Sequence, residues 1–271
     1  MNHCKRIITL LTMIIMLLAV PGILSAASAD ETATAYKPTF DKLTASADLA
    51  LRLKMTGQYN DLITLQNRTQ TLEANTKALQ FNNEEILVGL LQQMKKIDAT
   101  HIEQLKLDAE QARKRHKPLL DLYQSLNNQA DTASSLGGKK LASALRSQAS
   151  LMKIPVQLAR QDIKAKDSAL KAAKDKAAQT AKKIRDTLSG IDSCKVRIRA
   201  GRSAAVSIKT SFSSLWKTFK GAVKKNEVQT AASTLPTLVN LTRNQVDNLE
   251  SQYNLETKIS DILALAKKQL P

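Results

Sequence analysis

The residue types that most often carry catalysis or hold metal ions are scarce in this 271-residue chain. Its three histidines are His3, His101 and His116, and no His-Glu-x-x-His motif is present. His101 and His116 are 15 residues apart on one predicted helix, a separation of about 22 Å, so they cannot share a metal ion within it. We therefore expect no metal site, and we expect both histidines to be packed or to lie at the solvent edge.

Two Ser-x-x-Lys sequences, Ser150–Lys153 and Ser214–Lys217, match the nucleophile motif of serine acyl-transfer enzymes. The Ser-Asp-Asn and Lys-Thr-Gly motifs that accompany it in those enzymes are absent, and a chain rich in Ser and Lys produces such matches by chance. Gly137-Gly138 lacks the surrounding residues of a phosphate-binding loop. The sequence therefore predicts a protein that is not an enzyme and that carries no cofactor.

Positive charge is the property most able to bind a partner. The net charge is +17, and residues 111–225 hold 26 basic and 7 acidic side chains, whereas the flanking regions are nearly neutral. Such asymmetry predicts an anionic neighbour or surface. The alternative is that the charges only solubilise a helical bundle.

Two clusters in this basic middle are candidate anion-binding sites. The first lies on a predicted helix and comprises Arg113, Lys114, Arg115 and Lys117. The second lies in a predicted loop and comprises Lys195, Arg197, Arg199 and Arg202. We favour the loop cluster, because loop residues have fewer structural obligations. The stretch 164–186, with eight basic and three acidic residues, adds charge to the next predicted helix.

A candidate membrane-interface segment contains the only tryptophan. Phe212, Trp216 and Phe219 are flanked by lysines, which is typical of a helix that lies in a membrane interface. The same spacing also describes a helix whose aromatic face fills a bundle core, and this second interpretation is favoured.

Long helices must position all of these residues. Aromatic residues make up 3% of the chain, which has only 8 glycines, whereas Ala, Leu, Lys and Gln recur. Apolar seams at alternating spacings of three and four residues predict an all-α, elongated antiparallel bundle of four to five long, coiled-coil-like helices. A globular head with a protruding hairpin is the second choice. The predicted helices cover about 40–79, with Gly57 as a candidate interruption, 82–133, and 139–188 with a bend at Pro155. A fourth helix follows the basic residues at 195–202 and carries Ile208 to Ala222 on its apolar face, and the last covers about 227–270.

The first 29 residues have the pattern of a secretory signal peptide. Lys5 and Arg6 precede the apolar run Ile7–Val20, and Ala27-Ser28-Ala29 supplies a cleavage site near Ala29. We expect residues 30–271 to form a single elongated domain of a secreted or cell-surface protein.

Cys194 is then the only remaining cysteine, expected as a half-buried thiol, with an intermolecular disulfide as the alternative. The glycosylation patterns at Asn67 and Asn240 matter only in a eukaryotic source.

Together these patterns predict a secreted or surface-associated, non-enzymatic helical protein. Its basic middle would bind an anionic envelope polymer or lipid headgroups, or its seams would bind a helical protein partner. One alternative is a membrane-active amphipathic protein of the pore-forming-toxin type, and another is a purely structural coiled coil. Export and the lack of aromatic stacking partners argue against nucleic acid. The sequence leaves the oligomeric state open.

Overall fold

The computed structural model describes residues 32–271, and this part of the chain is helical without a strand. The predicted all-α class is thereby confirmed. The predicted signal peptide and its cleavage site near Ala29 lie outside the described residues. The described helices are α1 Ala33–Thr44, α2 Leu49–Lys95, α3 Ala99–Ser135, α4 Lys139–Leu151, α5 Lys153–Leu188, α6 Gly190–Lys224 and α7 Val228–Lys267. Five of them are 35 to 47 residues long, in agreement with the predicted four to five long helices.

The first two helices meet at a turn that the sequence analysis did not predict. The Leu51 backbone N–H donates to Asp48 Oδ1 at 2.9 Å, so Asp48 caps the start of α2. The Arg52 guanidinium donates to the carbonyl oxygens of Thr44 and Ala45 at 3.0 and 2.7 Å. These bonds satisfy carbonyl groups at the end of α1 and fix the turn.

The predicted helix start at Asn82-Asn83 is wrong. Helix α2 runs through both residues, and through Gly57, without interruption. Asn83 does not cap a helix; its side chain is buried and donates to Glu256 on α7. The break falls instead before Ala99, where Asp98 adopts a left-handed conformation with φ 53°.

The predicted bend near Pro155 corresponds to the break between α4 and α5 at Met152. Proline has no N–H to donate to the carbonyl group of Leu151 four residues earlier, so the helical hydrogen bonding is weakened at this point. Met152 keeps right-handed helical angles, with φ −86° and ψ −7°. The chain therefore passes from α4 into α5 without reversing its direction. Pro118, by contrast, lies inside α3, which continues through it as predicted.

The predicted loop at Lys195–Arg202 is also wrong, because these residues belong to α6, which runs unbroken from Gly190 to Lys224. The short separation between α6 and α7 contains Asn226, which has a left-handed φ of 59°. Asparagine tolerates this conformation better than most residues, so it suits the point where one helix ends and the next begins.

Contacts divide the described chain into two compact units. The first unit comprises residues 32–70 and 207–246, and its core is aromatic. Phe40 stacks on Tyr59 with ring centroids 4.0 Å apart, and Trp216 stacks on Phe219 at 5.3 Å. The Tyr59 hydroxyl donates to the Ala33 carbonyl oxygen at 2.8 Å, and burial raises its pKa. Six of the nine aromatic residues of the chain pack in this unit: Tyr36, Phe40, Tyr59, Phe212, Trp216 and Phe219.

The second unit comprises residues 71–206 and 247–271 and has an aliphatic core. The buried residues of this core come from α2, α5, α6, α7 and the α2–α3 connection. They are Leu90, Ile97, Ile184, Ile191, Cys194, Ile198, Leu255, Ile259, Leu263 and Ala266. On α6 and α7 these residues recur at spacings of three and four, as at 191, 194 and 198 and at 255, 259, 263 and 266, which explains why long helices form here.

Helices α3, α4 and α5 form a hairpin within the second unit. Asp131 of α3 pairs with Arg146 of α4, and His116 of α3 lies beside Asp162 of α5. The partner number rises as the α3 number falls, so the two arms are antiparallel. Apart from Ile184, which belongs to the aliphatic core, their buried residues are nearly all small and are called here the alanine seam: Ala109, Ala112, Ala130, Ala133, Ala142, Ala149, Val156 and Ala159. Small side chains let the two arms approach closely while burying little area each.

Candidate anion-binding surface

The first candidate cluster lies on α3, where its four basic side chains are exposed. Arg113 donates to Asp167 of α5 at 2.5 Å, and Lys117 donates to Asp121 one turn further along α3 at 2.7 Å. Lys114 and Arg115 are exposed beside them. Arg113 therefore connects the two arms of the hairpin, whereas Lys114 and Arg115 face solvent.

His116 connects the same two helices. Its Nε2 atom lies 2.8 Å from Asp162 Oδ2, and this hydrogen bond lowers the pKa of Asp162. Asp162 and Asp167 thus bond to His116 and Arg113 across the hairpin, rather than only facing the lysines four residues after them on α5.

The second candidate cluster lies on α6 and has structural partners. Arg202 donates to Gln80 of α2 at 2.5 Å. Arg197 lines a groove whose other charged residues include Asp247 and Glu250 of α7. The preference for this cluster rested on its being a loop, and that basis is absent because these residues belong to α6. Its residues lie on a helix whose side chains contact α2 and meet the acids of α7.

A buried polar pair explains part of this arrangement. Asn83 Nδ2 donates to Glu256 Oε2 at 3.0 Å and to the Glu256 carbonyl oxygen at 2.9 Å. Burial raises the pKa of Glu256, while the Asn83 hydrogen bond and the positive charges of Arg202 and Lys195 act in the opposite direction. Part of the positive charge of the α6 cluster therefore serves to offset a buried carboxylate.

The two candidate clusters do not share a partner. The α3 cluster contacts α5 and its own helix, whereas the α6 cluster contacts α2 and faces α7. Neither cluster forms an enclosed site for a small anion. The structure offers instead an open basic surface on the hairpin.

The basic surface of the hairpin extends along α4 and α5. Residues 132–185 contain 13 basic and 3 acidic side chains, a net charge of +10. All of the basic residues in this range are exposed except Lys166, which is half-buried. Arg160, Lys164 and Lys171 line one shallow groove on α5 together with Asp167. An extended surface of this kind suits a polymer or a planar array of anionic groups better than a single small molecule.

The candidate membrane-interface residues occupy the core of the first unit. Trp216 is 2% exposed and Phe219 is fully buried, while Phe212 is half-buried and stacks on Trp216. The core interpretation, which the sequence favoured, is the one that the structure shows. In this conformation Trp216 and Phe219 do not reach a lipid surface.

Other candidate chemistry finds little support in residues 32–271. Within this range, no three His, Cys, Asp or Glu side chains are arranged to hold a metal ion. Cys194 is buried in the second unit, more deeply than expected, and a buried thiol is not accessible to a partner chain. None of the helices described is both long and apolar enough to span a bilayer.

Comparison with protein-family models, curated proteins and solved structures finds no match for this chain.

One surface feature was missed in the sequence. Leu151, Ile154 and Leu158 are exposed on the hairpin, although their residue types are those of a core. The usable signal was the complete absence of Asp and Glu from residues 132–161, which hold five basic residues. Helical periodicity alone did not show which face of this segment lacks a partner.

Proposed function

We propose that this chain is a non-enzymatic binding protein that contacts polyanionic material of the cell envelope through its basic hairpin. The observation that carries the proposal is the net charge of +10 on residues 132–185, with nearly all of the basic side chains exposed. Phosphate and carboxylate groups are the chemistry that such a surface recognises. The secretory pattern of residues 1–29 supports an envelope destination.

The hairpin is favoured over the α6 cluster because of how the two sets of charges are used. The α6 residues lie beside Glu256, Asp247 and Glu250. On the hairpin, the 13 basic residues of 132–185 face only three acidic residues within that range, two of which bond to α3. An anionic polymer therefore meets less competition on the hairpin than on α6.

The test compares two triple variants that lower the net charge equally. Lys164→Gln, Lys171→Gln and Lys174→Gln remove charge from the hairpin, whereas Lys217→Gln, Lys224→Gln and Lys225→Gln remove charge from the first unit. All six lysines are exposed. Each basic residue near an anionic surface contributes about 1 kcal/mol, so the hairpin triple should weaken binding roughly 100-fold at low salt.

Binding is measured with two probes, soluble polyphosphate and vesicles containing phosphatidylglycerol. We expect affinity for both to fall as salt rises, because salt screens surface charge. Equal weakening by the two triple variants would show that only net charge matters and would contradict a hairpin surface. Salt-independent binding, or no binding, would contradict the proposal itself. N-terminal sequencing of the exported chain tests the destination, and recovery of Met1 would contradict cleavage.

A further inference from the structure

The end of the hairpin differs from the rest of the basic surface because it also exposes apolar side chains. Residues 132–161, called here the hairpin end, contain five basic residues and no acidic residue. Leu151 is 82% exposed, Ile154 71% and Leu158 60%. Leu136 after α3 and Leu141 on α4 are exposed as well. Apolar side chains at this density on a surface mark an interaction site rather than scattered exposure.

The three exposed residues form one stripe. Ile154 follows Leu151 by three residues and Leu158 follows Ile154 by four, which places all three on one helical face. The break at Met152 does not disrupt this spacing, since the backbone remains right-handed helical there. Val156 of the alanine seam lies two residues from Ile154 and from Leu158. Positions two apart point about 200° from each other, so the stripe faces away from α3.

Basic side chains lie beside the stripe. Lys153 and Arg160 are exposed but lie at the edge of the alanine seam, since each is two positions from a residue of the stripe. Lys140 lies eleven residues, about three helical turns, before Leu151 and therefore lies on the face of the stripe. Lys139 and Lys140 begin α4 directly after the turn at Gly137-Gly138. Their long side chains can reach phosphate groups while the apolar residues lie deeper. No carboxylate in residues 132–161 would repel an anionic surface.

We propose that the hairpin end docks on an anionic lipid bilayer, with Leu151, Ile154 and Leu158 in the headgroup–acyl boundary and the basic residues of the hairpin end on lipid phosphates. The proposal rests on the proposed function and names the lipid headgroup as the source of the anionic groups. One apolar stripe on a basic helix is the pattern of a segment that lies in the interface. That pattern agrees with the lack of a spanning segment among the helices described.

Charge complementarity favours an anionic bilayer over a second copy of the chain or a soluble polyanion as the partner of the hairpin end. A second copy of the chain would bring the same five positive charges against this surface. A soluble polyanion would satisfy the basic residues but leave the stripe in water. A bilayer with anionic headgroups satisfies both, because its phosphates and its acyl chains lie at different depths.

The test uses the full chain and a matched pair of triple variants. Leu151→Ser, Ile154→Ser and Leu158→Ser remove the stripe, and Leu49→Ser, Leu53→Ser and Val206→Ser remove equally exposed apolar residues elsewhere. Circular dichroism confirms that both variants remain helical. Flotation with vesicles of phosphatidylglycerol and phosphatidylcholine should show at least about 10-fold weaker binding for the stripe variant only. Binding of soluble polyphosphate should be unchanged in both variants.

A second measurement reports whether position 154 enters the bilayer. Ile154→Cys and Leu53→Cys are each labelled with an environment-sensitive dye, while the buried Cys194 serves as the background control. We expect a blue shift and stronger emission at position 154 when phosphatidylglycerol vesicles are added, and no change at position 53.

The outcomes separate the two proposals. If the wild-type chain binds neither polyphosphate nor vesicles, the proposed function is overturned. Salt-sensitive binding to both probes, with no effect of the stripe variant and no dye response, leaves the proposed function standing and overturns bilayer docking. Equal binding to pure phosphatidylcholine overturns the role of charge. A dimer in sedimentation that only the stripe variant abolishes, without a vesicle effect, assigns the stripe to a second copy.

Discussion

The aromatic core of the first unit and the alanine seam of the hairpin are two different ways of holding helices together. A buried aromatic side chain removes about 150–250 Å² from water, so the four buried rings, Phe40, Tyr59, Trp216 and Phe219, stabilise a small unit strongly. Alanine removes far less area, and the hairpin relies on close approach together with ion pairs such as Arg113–Asp167. A narrow seam occupies little of each helix, which leaves most of the hairpin surface available for charge and for a partner.

The second unit also differs in what it buries. The first unit surrounds Trp216 and Phe219 with other rings, whereas the second places Asn83 and Glu256 among aliphatic residues. A buried carboxylate costs stability unless hydrogen bonds and charges compensate it. The second unit should therefore respond to pH through a buried carboxylate, whereas the buried titratable group of the first unit is Tyr59, whose pKa burial raises above its ordinary value of 10.0.

The largest expected effect lies in the aromatic core. Phe219→Ala removes a fully buried ring and should lower the free energy of unfolding by about 3–5 kcal/mol. Ile154→Ala on the exposed stripe should change it by less than about 0.5 kcal/mol. Urea unfolding followed by circular dichroism measures both. A large loss for Ile154→Ala would show that the stripe is covered.

The next effect concerns the buried polar pair. Asn83→Ala removes both donors to Glu256 and should cost about 1–3 kcal/mol at pH 7. Glu256→Gln tests the ionisation itself. Since burial raises the pKa of Glu256 above its ordinary value of 4.5, its favourable contribution is present below that value and lost as pH rises through the folded-state pKa.

Glu256→Gln should therefore gain stability relative to the wild type between pH 4 and pH 7. Urea midpoints at both pH values measure the difference. The neutral amide keeps an acceptor for Asn83 and can donate to Asn83 Oδ1, which is buried and has no partner in the described structure. A difference that does not vary with pH would mean that Glu256 titrates normally.

A smaller effect tests the alanine seam. Ala149→Leu adds bulk where α4 packs on α3 and should cost about 1–3 kcal/mol. Gln148→Leu, at the exposed neighbouring position, serves as the control and should change stability little. If both variants unfold at the wild-type urea concentration, the two arms of the hairpin are not closely packed.

The smallest effect concerns Asp162. The His116 hydrogen bond lowers the pKa of this carboxylate below its ordinary value of 3.8, so its contribution is present above that value and lost as pH falls through the lowered pKa. Asp162→Asn should be slightly less stable than the wild type at pH 6, and the two proteins should converge at strongly acid pH. Parallel urea titrations check this, and a constant gap would contradict the hydrogen bond.

The sequence predicts the fold class because apolar spacing of three and four residues is a local property. It fails at Asn83, because a polar residue reads as a cap until its tertiary partner Glu256 is known. It fails at Lys195–Arg202, where the density of basic residues suggested a loop, although Gly201 packs on α7, where an added Cβ would lie 3.2 Å from Gln252 Cγ. The exposed stripe at Leu151, Ile154 and Leu158 was not predicted, because the spacing of apolar residues does not show which helix face lacks a neighbouring helix.

The buried thiol of Cys194 provides a chemical probe of how often the core of the second unit opens. It is the only cysteine in the described residues and is 2% exposed, so a modifying reagent can reach it only when the surrounding helices separate. The rate of its alkylation at increasing reagent concentration thus reports how often that core opens and how fast it closes. Engagement of the hairpin by a ligand that stabilises the second unit would slow this reaction without any label having been introduced.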